Sequence, residues 1–388
     1  MFVDPLFKLM AEKQASDMFF TAAAPIQIKI NGVVMPVNSQ VLDPAAVKTI
    51  TYELMSEPQI KAFEQNLEMN FSVGRAEIGT FRVNVFRQRG AVAMVIRFIK
   101  PEIPSIEDLK LPSVLKEVVM EKLGMILIVG STGSGKSSSM AAMIDYRNST
   151  RPGHILTIED PMEFTYKHKK SIVNQREVTM DTASYENALV SAMREAPDLL
   201  MIGEIRDRLT LQSALLFAQT GHLCLSTLHA NNSYHAMNRI INFFPREARE
   251  ALLADLAISL KCVISQRLVR AKSGGRVPAV EVMINTAHIA ELIKKGEMGE
   301  IKDAMEQSMA PGSQTFEQAL YNLYASGQIT LEDALANSDS ATNLHWLINN
   351  AGKAAAQAPG SSSAQATTQA PSGPGDDLSS IKLNLDLV

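Results

Sequence analysis

Apolar and polar residues alternate along the first hundred positions in a way that predicts short strands around one helical segment. IQIKI at 26–30 alternates, Asn31-Gly32 supplies a tight hairpin turn, and VVMPV follows it. Asp43 and Pro44 have the form of an N-cap with proline at the first helical position, opening an apolar-periodic stretch through Ile50 and Leu54 towards Phe63. Phe81, Val83 and Val85 then alternate with Arg82, Asn84 and Phe86. Beyond Arg89-Gly90, Val92, Met94, Ile96 and Phe98 run against Val95 and Arg97. Residues 1–100 therefore read as a small α+β domain with two hairpins, the second carrying several arginines.

Residues 101–112 hold three prolines and no clear period, which predicts a linker. From 113 the pattern changes. Almost wholly apolar runs, MILIVG from Met125, HILTIE from His154, DLLMIG from Asp198 and HLCLSTL from His222, alternate with helical segments at 182–194 and 209–219. That alternation predicts a parallel sheet covered by helices on both faces. Residues 249–269, 287–305, 315–326 and 330–337 read as helices, so the domain at 113–352 closes with a helical part. From 353 to 380 the chain is almost entirely Ala, Gln, Gly, Pro, Ser and Thr. Such a composition buries too little apolar area to offset ordering entropy, so 353–388 is expected to be a disordered tail.

Charge and composition narrow the class. The chain has 388 residues, 37 Lys plus Arg against 41 Asp plus Glu, and 46% hydrophobic residues, values of a globular protein and unfavourable to a whole-surface nucleic-acid binder. Two cysteines, Cys224 and Cys262, are too few for a four-cysteine zinc site or a disulfide framework, which fits a reducing cytoplasm. They read as packing residues, Cys224 in a strand and Cys262 in a helix. The longest apolar runs fall short of the roughly 18 residues that span a bilayer. The first residues also lack the apolar core of a signal peptide.

The strongest chemical signal is GSTGSGKS, comprising Gly130, Ser131, Thr132, Gly133, Ser134, Gly135, Lys136 and Ser137. It fits the G-x-x-x-x-G-K-S phosphate loop and lies between an apolar strand and a helix, where backbone N–H groups can surround phosphates. Lys136 supplies charge for the β and γ phosphates of ATP, and Ser137 a hydroxyl for Mg2+. Glu204 ends the strand of DLLMIGE, where a carboxylate points into the crevice holding the γ phosphate. Glu159, Asp160 and Glu163 in IEDPMEF form a second acidic group beyond the strand at 154–158. His222 and His229 flank the strand of TGHLCLSTLHANN.

These four segments, in this order and spacing, resemble the secretion-ATPase superfamily, and within it the type IV pilus retraction ATPases of the PilT and PilU group. The similarity extends to SDMFFTAAAPIQIKINGVV, FRVNVFRQRGAVAMVIRFI, VNQREV and QTFEQALYNLYASGQIT. The resemblance implies a PAS-like N-terminal domain, a RecA-like P-loop ATPase core, ATP and magnesium as cofactors, and a homo-hexamer. It further implies that Glu204 activates water, that Glu159, Asp160 and Glu163 form an acidic box near magnesium, and that His222 and His229 sense the phosphate. Arg82 and Arg97 would reach a neighbouring subunit's nucleotide, although by pattern alone they are equally surface positions of a hairpin.

Departures refine the resemblance. NTAHIAELIKKGEMGE at 285–300 lacks the arginine and asparagine of the AIRNL-type helix, which with the long tail suggests the PilU branch, an accessory retraction ATPase. The cysteine cluster of many extension motors is missing. The expected partners are a PilT-like ring and the inner-membrane pilus platform protein at the cytoplasmic face, with no nucleic acid. A weakly catalytic ring that assists a principal motor, and a nucleic-acid translocase, are the competing readings. KHKK at 167–170 reads as a solvated loop and the methionines as core filling. IKLNLDLV at 381–388 alternates and is a candidate strand-adding peptide.

Overall fold

The computed structural model describes residues 2–30, 32–75, 78–99 and 102–356. The candidate peptide at 381–388 and the expected disordered tail beyond 356 lie outside them; the tail's first residues, 353–356, belong to the helix Ala341–Ala356. Two sheets organise residues 2–347. The first contains β1 (Asp17–Phe20), β2 (Pro25–Ile30), β3 (Val33–Val41), β4 (Glu68–Arg75), β5 (Gly79–Gln88) and β6 (Ala91–Ile99), in the order β3-β2-β1-β6-β5-β4. All its pairs are antiparallel, and both expected hairpins are present. Helices Asp4–Glu12, Pro44–Glu53 and Glu57–Asn66 contribute Phe7, Val47, Ile50 and Phe63 to a core with Phe81, Val83 and Val85.

One long helix was expected through 43–63, and two are found. Asp43 caps the first, its side chain accepting from the Ala46 N–H at 2.7 Å. Pro58 lacks an N–H and its ring clashes with the preceding turn, so the helix stops and restarts. Ser56 and Gln59 form a capping box at the restart.

The second sheet contains β7 (Gly124–Val129), β8 (Gly153–Glu159), β9 (Ser171–Glu177), β10 (Leu199–Ile202), β11 (Leu223–Leu228), β12 (Leu260–Arg270) and β13 (Arg276–Ile284). Its order is β13-β12-β7-β11-β10-β8-β9, parallel throughout except for the β12–β13 pair. Successive side chains face opposite layers. Met125, Leu127 and Val129 join the core with Leu200, Cys224 and Val263, whereas Ile126 and Ile128 join the core with Leu199, Cys262 and Ile264. Both cysteines pack as expected, and burial pushes each thiol up to about 12.

The expected helix at 249–269 ends at Ser259, and Cys262 lies in a strand. A nearly continuous apolar run does not distinguish a buried strand from a buried helix by period; here Val263, Ile264 and Val269 favour the pleated geometry. The expected helix at 287–305 is also divided, because Gly296 (φ 79°) ends Ala287–Lys295 in a left-handed cap before a second helix, Ile301–Glu306. The segment expected as a linker is not a free spacer, since it buries Ile106 and Leu111 beneath the second sheet. Among the described residues no helix is long and apolar enough to cross a membrane.

Arg147, fully buried on helix Lys136–Thr150, donates to the carbonyls of Val119 (2.6 Å) and Glu121 (2.8 Å). Arg147→Ala strands those carbonyls and opens a void, so it is expected to cost about 3 kcal/mol, read as a lower urea midpoint in the nucleotide-free protein.

Candidate active site

The phosphate loop leaves β7 at its carboxyl end and feeds helix Lys136–Thr150. Two glycines are dictated by close approach. A Cβ at Gly130 (φ 156°) would lie 2.4 Å from Ser134 Oγ and 2.6 Å from the Gln266 carbonyl; one at Gly135 (φ 92°) would lie 2.8 Å from Gln266 Nε2. Gln266, buried on β12, therefore backs the loop, and its Oε1 accepts from Ser139 Oγ at 2.6 Å. No motif announces Gln266, because its role exists only once β12 lies beside β7. Lys136 Nζ donates to the carbonyls of Gly130 (2.8 Å) and Ser131 (2.9 Å). Burial pulls the ammonium's pKa down, while the charges of Glu204 and Glu163 oppose that shift. Among the described residues, the buried Ser134 Oγ has no hydrogen-bond partner.

The level register of the parallel strands brings the acids to the same edge. Ile202 on β10 lies opposite Ile158 on β8 and Ser226 on β11. Beyond it, the Gly203 N–H donates to the Ile158 carbonyl (2.8 Å), Thr227 Oγ1 to the Gly203 carbonyl (2.6 Å), and the Ile205 N–H to the Thr227 carbonyl (2.9 Å). These bonds fix the turn that presents Glu204. Glu204 Oε1 lies 3.3 Å from His229 Nε2, and Oε2 accepts from Arg206 Nε at 2.8 Å. Arg206 Nη1 extends to Asp160 Oδ2 at 3.5 Å, so one guanidinium spans two site acids. Arg206 lies two residues beyond the strand-end Glu204, and a cation at that spacing was the available signal for it.

Glu159 points inward. Its Oε1 accepts from Thr157 Oγ1 (2.7 Å) and Gln175 Nε2 (3.2 Å), and its Oε2 from the Glu163 N–H (3.4 Å). Burial pushes its carboxyl up to about 7. A cavity of about 500 Å³ gathers Thr132, Gly133, Gly135, Lys136 and Ser137 with Glu159, Asp160, Glu163, Glu204 and His229.

Three expected residues stand apart. His222 precedes β11, at the amino end of the strand, with its ring against Phe217 and Nδ1 3.2 Å from Thr220 Oγ1. The six residues of β11 put it about 20 Å from His229, so the expected phosphate contact of His222 is corrected: parallel strands separate their two ends. Arg82 and Arg97 line a smaller cavity of about 250 Å³ with Met162 and Glu163 of the same chain. Burial lowers the Arg82 pKa, and Glu177 is the largest opposing charge. Arg97 Nε pairs with Asp17 Oδ1 at 2.8 Å.

The sequence model of the family described as "Type II/IV secretion system protein" matches residues 1–274. The chain belongs to this family. It is 49% identical to the Type IV pilus ATPase PilU of Pseudomonas aeruginosa over 89% of this chain and 91% of that protein. It is 40% identical to the Type IV pilus retraction ATPase PilT of the same organism, over 86% of this chain and 96% of that one. A crystal structure of the pilus retraction motor PilT with bound ADP superposes with a TM-score of 0.83 at 41% identity, covering 88% of this chain and 98% of that chain.

The site of this secretion-system family member fits a nucleotide, with glycines where the backbone must approach, an unpaired buried hydroxyl and a lysine held by loop carbonyls. Among the described residues no group of three or more His, Cys, Asp and Glu is arranged to hold a metal. Magnesium suits such a site, because it keeps several waters and takes phosphate oxygens with few protein ligands. Ser137, in the helix's first turn, is the residue that would reach it.

Glu159 makes this family member's stability depend on pH. The folded state keeps the proton to about 7, against an ordinary value of 4.5. The folded state thus binds more protons between those values, and stability present below about 4.5 is lost as pH rises through about 7. Glu159→Gln removes that loss. Thermal denaturation of the nucleotide-free pair is expected to show the variant gaining about 3 kcal/mol over the parent between pH 4.5 and 7.

Proposed function

We propose that this chain is a magnesium-dependent ATPase working as a homo-hexameric motor that powers type IV pilus retraction and twitching motility. Its place would be the accessory, PilU-type one, beside a PilT-like ring and the platform protein at the cytoplasmic face of the inner membrane. Residues 113–352 would be the engine and 1–100 the moving part. The observation that carries the reading is the meeting of Glu204, fixed by His229 and Arg206, with Lys136 in one cavity.

The chemistry follows from those contacts. Lys136 exchanges the carbonyls of Gly130 and Ser131 for phosphate oxygens, drawing the terminal phosphate into the loop. Glu204 accepts a proton from water as the water oxygen bonds to the γ phosphorus and the bond to the β–γ bridging oxygen breaks. His229 and Arg206 hold one Glu204 oxygen each, which orients the carboxylate. A magnesium ion supplies charge neutralisation for the phosphates. Arg82 and Arg97 are guanidinium donors for the spreading phosphoryl charge, and Arg82 stands beside Glu163 of its own chain. Delivering it in trans requires that side of the hairpin to leave this contact.

Lys136→Ala and Glu204→Ala are each expected to lower ATP turnover by at least about a hundredfold with the melting temperature preserved. Near-normal turnover in either purified variant rejects the site. In cells, deleting the gene is expected to leave excess surface pili and poor twitching, most clearly when the principal motor is compromised. Bald cells would point to assembly, and stimulation of turnover by single-stranded DNA would favour a translocase.

A further inference from the structure

A second cleft, of about 630 Å³, lies on the other side of the phosphate loop from the nucleotide cavity. Its walls include Gly130, Ser131 and His229, and helix Ser233–Asn242 adds His235, Asn238 and Arg239. No acidic residue lines it. Arg239 is exposed and, among the described residues, makes no hydrogen bond, ion pair or aromatic contact. The nucleotide cavity next door mixes four carboxylates with Lys136, Arg206 and Arg276, whereas the second cleft holds no carboxylate to compete with an anion.

Lys136 shows which part of a nucleotide lies closest to this cleft. A phosphate-loop lysine serves the β and γ phosphates. Here its Nζ is bonded to the carbonyls of Gly130 and Ser131, the two loop residues that line the second cleft. A terminal phosphate drawn to this lysine would lie near the loop residues shared with the second cleft, and His229 lines both spaces. Its Nε2 is 3.3 Å from Glu204 Oε1, so the imidazole stands between the catalytic carboxylate and the second cleft.

We propose that this cleft is the exit route and transient holding site for the inorganic phosphate released by hydrolysis, with Arg239 its principal anion ligand and His229 its gate. The inference rests on the ATPase reading above. In this cleft the dianion meets a free guanidinium, an imidazole and amide donors with no carboxylate, whereas the front cavity sets Asp160, Glu163 and Glu204 beside its cations. Release through the back also lets phosphate depart while the diphosphate still fills the front.

Single-turnover measurements on the full-length protein test this, with acid quench reporting cleavage and a fluorescent phosphate-binding reporter reporting release. Arg239→Gln is expected to leave cleavage unchanged and slow phosphate release about tenfold, the loss of one charge-assisted contact, so that a burst of cleaved phosphate precedes steady state. Asn238→Asp, which puts a carboxylate into the cleft, is expected to slow release likewise, and Arg239→Lys to restore it. Unchanged release in both Arg239→Gln and Asn238→Asp overturns the proposal. So does cleavage that slows in step with release, which would assign Arg239 to chemistry or to assembly. A parent protein that fails to cleave ATP overturns the ATPase reading itself, and this inference with it.

Discussion

The parallel hydrogen-bond ladder of β7, β11, β10 and β8 is the constraint on which the site depends. Parallel strands release their chains at one edge, so the phosphate loop, Glu159, Glu204 and His229 all emerge together. A slip of two residues in β10 alone would carry Glu204 about 7 Å along the strand axis, out of reach of His229. Hydrophobic alternation does little to prevent this, because both faces of these strands are buried and apolar. The polar strand ends do more: Ser226 Oγ donates to the Ile202 carbonyl at 2.8 Å and Thr227 Oγ1 to the Gly203 carbonyl at 2.6 Å, in one register only.

Charge within the cavity bears on the proposed use of a metal-bound polyphosphate. Burial pushes the Glu159 carboxyl up to about 7, so it is only partly ionised near neutral pH, while Asp160, Glu163 and Glu204 face Lys136, Arg206 and Arg276. Arg206 is already engaged by Glu204 and Asp160, which raises its pKa and leaves it little freedom to serve a phosphate. A polyphosphate entering that field meets the acids as well as the cations. A divalent cation bound with it would turn those acids from a repulsion into an attraction.

What the sequence disclosed follows the range over which each interaction acts. The phosphate loop was legible because its whole mechanism is local, a strand, a glycine-rich turn and a helix in contiguous residues. Glu204 and the 159–163 acids were legible as strand ends. Cys262 was misassigned because β12 acquires its identity from β7 and β13 on either side, and periodicity in an all-apolar run carries no trace of them. His222 was grouped with His229 through nearness in sequence, which a strand converts into distance. Gln266 had no signature at all, since it meets the loop across 127 residues of chain at Ser139.

The acid segment is also where the two sheets touch. Glu177 Oε2, at the end of β9, accepts from the Met162 N–H at 3.2 Å and from Ser72 Oγ of β4 at 3.3 Å. Met162 and Glu163 further line the small cavity with Arg82 and Arg97. A displacement of the first sheet therefore acts on Met162 through Glu177, and on Glu163 through the adjoining arginines. The Ser72–Glu177 hydrogen bonds between the sheets are long, at 3.3 and 3.4 Å, whereas the ladder below is continuous and dry. When a phosphate competes for the arginines, the contacts between sheets yield first and the ladder does not, so the cost of reshaping the site falls on the position of the first sheet. On the proposed reading, motion is thereby directed into the first sheet, and the edge that carries Glu204 and Lys136 keeps its geometry.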